Sequence, residues 1–510
     1  AIARYHLGGV IYFDWAGNMV SVGQVAQLSN AIQAAGAAQP FGVPLLISTD
    51  QEGGSIVRLP TPATQFPGNM ALGAAGQPDL AQSTGVAIAE ELSAVGINQA
   101  LAPDGDVNVN PANPIIGIRS FGSDPTLVAD MTASMVTGFQ SVPGVAATVK
   151  HFPGHGDTNI DSHSQLPTID HSVDQWTQID RPPFAAAVAA GVDVVMAGHL
   201  AFPALDPTGT PASLSPPIVG NILRGQLGFK GVVMTDALTM GALRTKYGDA
   251  QIPVMAVLAG EDILLMPPRL PVAYAAVQAA VASGRISTAR LDASVRRILQ
   301  LKLSLGLFDA APVSVTGATS VVGSRAHRAL EARDAEASVT LLANDGAALP
   351  LTSASTQGPY LVVGPAAAPV ASLASAVRGR GLSVATFVSG TSPPSSLIAS
   401  AAAQSASYGT LIVLTLDADT DPGQQRLVGA LATTGKRLIT VSIGHPYDQA
   451  YYRAAVNLAL YSSSPASMRA ATRVIFGDVN PSGLLPVAIP AAGSPDEILY
   501  PIGFGLSYAP

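Results

Sequence analysis

The sequence predicts an α/β protein of two domains, a TIM-like (β/α)8 barrel followed by a C-terminal α/β domain. Three observations carry this. Short runs rich in Val, Ile and Leu alternate with helical stretches over the first part of the chain, the pattern of a parallel sheet covered on both faces. Several of these runs end in a polar or charged residue, as barrel strands do where they present chemistry at one rim. After a stretch of small polar residues the alternation resumes, at intervals that suit an open doubly wound sheet.

In chain order, strands are expected at 8–13, 44–49, 98–102, 145–149, 192–197, 231–235 and 262–266, with helices at 22–37, 80–95 and 126–139 among the connections. Seven strands are one short of a closed barrel. The missing first strand is expected upstream of Ala1, unless the ring is irregular. A helix from Thr288, with Leu291, Val295, Ile298, Leu299 and Leu303 at helical spacing and Gly306 as its stop, closes a first domain at 1–310. Residues 311–350 read as a small, polar linker and a connecting helix, with a turn at Asn344-Asp345-Gly346. The second domain, 351–510, carries strands at 360–363, 382–387, 410–416, 438–442 and 456–460. Its first turn, Gly364-Pro365-Ala366, lacks the glycines of a dinucleotide site.

Composition excludes several functions. The 510 residues hold 34 acidic and 26 basic side chains, a net charge of −8, without a Lys/Arg cluster, so no nucleic-acid surface is expected. The most apolar stretch, 184–200, is interrupted by Asp193 and His199, so no membrane span is expected. With no cysteine there are neither disulfides nor thiolate metal sites. The zero cysteine count and a start at Ala1 rather than Met lead us to expect an exported or cell-surface bacterial protein, with a cytoplasmic one as the alternative, and a monomer.

The chemistry is concentrated in KHFPGHGDTNIDSHSQLP, 150–167. Half of the eight histidines (His151, His155, His163 and His171) fall within this loop or just beyond it. Loops held by strands carry reactive groups. Four strand ends deliver Asp50, Lys150-His151, His199 and Asp236 to one expected rim. Helix capping would explain Asp50 or Asp236 singly, but not the whole set. Two constellations compete for the loop. In one, Asp236 is a nucleophile or charge stabiliser and His163 an acid/base oriented by Asp161, the pair of roles that glycoside hydrolysis requires. In the other, His151 and His155 join His163 or His199 and an aspartate around a metal that activates water. Phe152-Pro153-Gly154 breaks any helix that would align the first two.

The loop resembles the signature of glycoside hydrolase family 3, in its β-N-acetylglucosaminidase branch, where a Lys-His pair begins the loop and Asp-Ser-His ends it. The resemblance extends through STDQEGGSIVRLP from Ser48, NPIIGIRSFGSDP from Asn113, VVMTDALTMGAL from Val232, RLDASVRRILQLKLSLGLFD from Arg290, NPSGLLPVAIP from Asn480 and YPIGFGLSY from Tyr500. It implies a C-terminal α/β sandwich, Asp236 as the nucleophile of a covalent glycosyl-enzyme, and His163 with Asp161 as general acid/base. It further implies that Asp50 binds sugar hydroxyls, while Arg58, Arg119, Lys150 and His151 complete an N-acetylglucosamine pocket. His199 is counted with them as a substrate-binding candidate. Ser55 departs from the family, which often has arginine after Glu-Gly-Gly. The implied enzyme is exo-acting, retaining and free of metal or other cofactor, and it takes terminal N-acetylglucosamine from muropeptides or chitin oligosaccharides. Phosphate as acceptor in place of water, a metal-dependent barrel hydrolase and a non-catalytic glycan-binding protein are the rival readings.

Overall fold

In the computed structural model, residues 1–352 and 358–508 are described. Six parallel strands follow one another in chain order, β1 (Gly9–Ile11), β2 (Leu46–Thr49), β3 (Gln99–Ala100), β4 (Ala146–Phe152), β5 (Val194–Ala197) and β6 (Val232–Thr235). All seven residues of β4 are buried, as expected for a strand covered on both faces. Its outer face meets the helices Pro125–Ser141 and Arg181–Ala189. The first of these begins where Asp124 accepts from the Thr126 and Leu127 amides and Pro125 supplies a preset φ.

The seventh expected strand, 262–266, is reduced to a single bridge between Met234 and Ile263. Thr235 N–H still donates to the Ile263 carbonyl at 3.0 Å and Leu238 N–H to that of Leu265 at 2.9 Å, so the segment keeps its place beside β6. Among the described residues, β1 pairs with β2 alone. The TIM-like sheet is therefore an incomplete ring, and a cavity of about 580 Å³ lined by Leu7, Leu46, Met234, Leu265 and Ile298 lies between β1 and 262–266.

The second sheet has the order β7-β12-β11-β10-β8-β9. Its strands are β7 (Thr340–Asn344), β8 (Tyr360–Gly364), β9 (Val384–Val388), β10 (Thr410–Thr415), β11 (Arg437–Ser442) and β12 (Val456–Ala459). Alternate residues point to opposite faces. Tyr360, Val362, Ile412 and Leu414 pack with the helices Ala367–Arg378 and Pro465–Ile475, whereas Leu361, Val363, Leu411 and Val413 pack with Ser395–Ser405 and Pro422–Ala432. This is an α/β sandwich. It takes β7, antiparallel to β12, from ahead of the expected start at 351. The expected linker also contains the helix Val315–Val321, capped by Ser314, with Ala318 and Val322 in the first domain's core.

The domains share an apolar seam. Met70, Ala71 and Ala74 of the helix Asn69–Ala75 meet Leu342, Tyr447, Tyr461, Leu485 and Val487. Ser123 N–H donates to the Pro486 carbonyl, and Leu484 N–H to that of Ala74, both at 2.9 Å. Among the described residues, no helix is long and apolar enough to cross a membrane.

Candidate active site

The carboxyl ends of the first-domain strands surround a cavity of about 280 Å³. Asp50, Arg58, Arg119, Lys150, His151, His163 and Asp236 all line it, together with Glu52, His155 and an apolar wall that includes Phe13, Trp15, Met196 and Met240. Neither Asp50 nor Asp236 caps a helix: the neighbouring helices start at Gly68 and Met240 without a side-chain cap.

The floor is an ionic lattice. Lys150, buried at the end of β4, donates to Asp50 Oδ1 at 2.7 Å and lies 2.6 Å from Glu52 Oε1. Arg119 grips Glu52 with Nε and Nη2, both at 2.9 Å, the paired geometry a guanidinium offers a carboxylate. Burial works against ionising Glu52, but Arg119 and Lys150 outweigh it and hold the carboxyl far below its usual range. Glu52 was not among the residues singled out from the sequence, although it stands two positions after Asp50. Asp50 and Lys150 thus have fixed positions while one face of Asp50 remains toward the cavity, suited to binding vicinal hydroxyls.

Beside the floor, His151 Nδ1 donates to Asp106 Oδ2 at 2.7 Å, and the His155 amide donates to Asp106 Oδ1 at 2.7 Å. Asp106 stays ionised against its burial because His151 and these donors surround it, whereas burial and the nearby Asp106 push Asp104 well up. The Pro103-Asp104-Gly105-Asp106 turn after β3 therefore supplies two further site carboxylates that the sequence reading passed over as loop. Burial lowers His155 to about 4, so it is neutral at ordinary pH. The four histidines of the metal reading do not converge. His155 Nε2 meets Ser162 Oγ at 3.1 Å, His151 Nε2 faces Arg119 Nη2 at 3.4 Å, and His199 is engaged elsewhere.

Asp236 follows β6 directly. Burial opposes its ionisation, but His199, His151 and the Ala237 amide, which donates to Asp236 Oδ1 at 2.6 Å, hold the carboxyl below its usual range. His199 lies behind the rim rather than in it. Its Nε2–H donates to the Ala237 carbonyl at 3.0 Å and its Nδ1 accepts from Ser213 Oγ at 2.8 Å, so it braces the turn that carries Asp236 and does not line the cavity.

The histidine loop arches back to this turn. Gly156 lies so close to the Val107 carbonyl that a Cβ would come within 1.7 Å of it, and Gly154, at φ 130°, packs on Asp180. Further on, the Asp161 carboxylate receives both the His163 amide (2.7 Å) and His163 Nδ1–H (2.8 Å). This fixes the tautomer with Nε2 outward, and Nε2 has no partner among the described residues. Gly241 N–H donates to the His163 carbonyl at 2.8 Å and Ala242 N–H to that of Ser162 at 3.2 Å. The dyad is thereby stitched to the segment five residues beyond Asp236. His163 itself stays 65% exposed in its side chain.

The loop's other end is clamped by His171, which lies 2.9 Å from Asp157 and 2.7 Å from Asp180. The hydrogen bonds to Asp157 and Asp180 raise its pKa from 6.5 to about 10. A raised pKa stabilises the fold fully below about pH 6.5, and the contribution is lost as pH rises through about 10. His171→Gln is therefore expected to cost on the order of 2–4 kcal/mol at about pH 6 and much less near pH 10. Urea unfolding of both proteins across that window measures it.

An ionised carboxylate, Asp236, and an imidazole held in one orientation, His163, thus face one cavity of about 280 Å³. The chain belongs to glycosyl hydrolase family 3: residues 1–301 match that family's N terminal domain and residues 339–508 its C-terminal domain. It is similar to a beta-hexosaminidase A of Pseudoalteromonas piscicida, 38% identical over 69% of this chain and 61% of that protein. A beta-N-acetylglucosaminidase/beta-glucosidase of Cellulomonas fimi is 36% identical over 61% of this chain and 56% of its own length. The chain thus spans about three fifths of these curated relatives. Among solved structures, a family 3 beta-N-acetylglucosaminidase from Paenibacillus sp. FPU-7 superposes with a TM-score of 0.90 at 39% identity, covering 96% of this chain and 94% of that one.

Proposed function

We propose that the protein is a retaining, exo-acting β-N-acetylglucosaminidase. The observation that carries this is the hydrogen-bonded junction of the Ser162-His163 loop with residues 241–242, which brings the Asp161–His163 dyad to the cavity that holds Asp236. The Asp50, Lys150, Glu52 and Arg119 lattice supports the reading by giving a sugar's hydroxyls fixed partners, and the small volume suits one ring rather than a chain. Similarity to the Paenibacillus beta-N-acetylglucosaminidase, and more broadly to the Pseudoalteromonas beta-hexosaminidase, supports N-acetylglucosamine as the sugar recognised.

In the first step, an Asp236 oxygen bonds to the anomeric carbon as the glycosidic bond breaks, and His163 Nε2–H passes its proton to the departing oxygen. In the second, the now neutral His163 takes a proton from water, whose oxygen displaces Asp236. Two inversions give net retention. The substrates that fit are muropeptide fragments and chitin oligosaccharides ending in β-linked N-acetylglucosamine.

The test is nitrophenol release from the aryl N-acetyl-β-glucosaminide in the presence of chelator, with and without phosphate. Free N-acetylglucosamine of retained configuration at an undiminished rate is the expected result. A sugar phosphate formed only with phosphate would replace hydrolase by phosphorylase, and inactivity until metal is restored would overturn the mechanism.

A further inference from the structure

A second cluster of ligand-type side chains lies in the other domain, at the carboxyl edge of its parallel sheet. Asp417 and Asp419 follow β10, His445 follows β11, and Asp448 lies in the short turn Pro446–Ala450. They adjoin a cavity of about 910 Å³ between the domains, which shares Ile115 and Arg119 with the lining of the active-site cavity. One donor atom each from Asp419, His445 and Asp448 lies within 4.8 Å of the other two.

The charges in this cluster do not balance. Among the described residues, no lysine or arginine pairs with any of the three aspartates, and their one basic neighbour is His445. Its Nε2 lies 3.1 Å from Asp417 Oδ1 and 3.5 Å from Asp419 Oδ1. Donors at those separations can share one ion, since ligands about 2.1 Å from a metal stand roughly 3–3.5 Å apart. The side chains are also under-satisfied. Asp448 is fully buried; its Oδ1 receives the Ala418 and Asp419 amides at 2.6 and 3.3 Å, while its Oδ2 has no hydrogen-bond partner. Asp419 Oδ1 and His445 Nδ1 are likewise buried without one. Buried carboxylate oxygens left unpaired are costly.

We propose that Asp419, His445 and Asp448, with Asp417 at the rim, form a site for one divalent transition ion of the zinc or manganese type. Carboxylate and imidazole donors together favour such an ion over calcium or magnesium, which prefer oxygen alone. The ion acts structurally: it ties the β10 and β11 loops together beside Tyr447, whose hydroxyl receives Asn108 Nδ2 at 3.2 Å across the domain boundary. This goes beyond the glycosidase reading and does not depend on it.

The experiment is calorimetric titration of the chelator-stripped full chain with Zn²⁺ and with Mn²⁺, using Ca²⁺ and Mg²⁺ as controls, alongside thermal unfolding. One ion per chain and a higher Tm are expected, with affinity weakened more than about 100-fold in both His445→Gln and Asp419→Asn. Both variants must keep the parent's chelated Tm to within a few degrees, and Co²⁺ absorption bands lost in either one give a second readout. Failure of Zn²⁺ and Mn²⁺ to bind overturns the proposal. So does binding that survives both substitutions, or that disappears instead in Asp104→Asn, which would place the ion at the Asp104, Asp106 and His151 group of the first domain.

Discussion

Asp236→Ala is expected to lower kcat/KM for an aryl N-acetyl-β-glucosaminide by on the order of 10⁴-fold or more, equivalent to about 5.5 kcal/mol of transition-state stabilisation. The size follows from the role. In the proposed mechanism the ionised carboxylate forms the covalent bond and has no substitute among its neighbours, since His199 is turned to the Ala237 carbonyl and His151 to Asp106. Stability should change little, because the protein partner of Asp236 Oδ1 is the adjacent Ala237 amide and no helix depends on it. Azide added to the variant should restore nitrophenol release and yield the α-glycosyl azide, as it enters from the face that the carboxylate has left. A variant that keeps its rate to within about tenfold would make Asp236 an electrostatic bystander and leave the substrate's own acetamido group as the nucleophile.

How much of this was legible before the structure depends on what each signal reports. Strand ends are visible as apolar runs stopping at a charge, and Asp50, Lys150, His151 and Asp236 do meet at one cavity. The same signal misplaced His199, because a strand-end position does not fix where the side chain turns. Glu52 and Asp106 were missed for a related reason. Each follows a strand end by a few residues, in a turn whose course is set by its tertiary partners, Arg119 and Lys150 for one and His151 and His155 for the other. The segment 262–266 has the composition of a strand, but only Ile263 forms a bridge to β6. Conversely, β7 was lost between a helix and an Asn-Asp-Gly turn because its pairing with β12 spans more than a hundred residues. The small residues of 314–322 concealed a helix whose one buried position, Ala318, carries too little apolar area to show a period.

His163→Ala is the substitution whose effect should depend most on the substrate. With an N-acetylglucosamine disaccharide, kcat/KM should fall by about 10²–10⁴-fold, since the departing alkoxide must be protonated. With a nitrophenyl glycoside the leaving group departs as a stable anion, and the same parameter should stay within about tenfold of the parent. The comparison has to be made on kcat/KM, which reports steps up to the formation of the glycosyl-enzyme. In the proposed second step His163 is the base whatever the aglycone was, so kcat for the aryl substrate should fall as well and a burst of nitrophenol should appear. The fold should tolerate the change, because the side chain is 65% exposed and the junction to Gly241 and Ala242 is made by backbone carbonyls that alanine retains. Asp161→Asn should lie between the two proteins, since it keeps an acceptor for Nδ1–H but loses the negative charge beside the ring. Equal losses on both substrates would mean that the proton comes from elsewhere, and His155 at the cavity and Asp104 behind it would then be tested next.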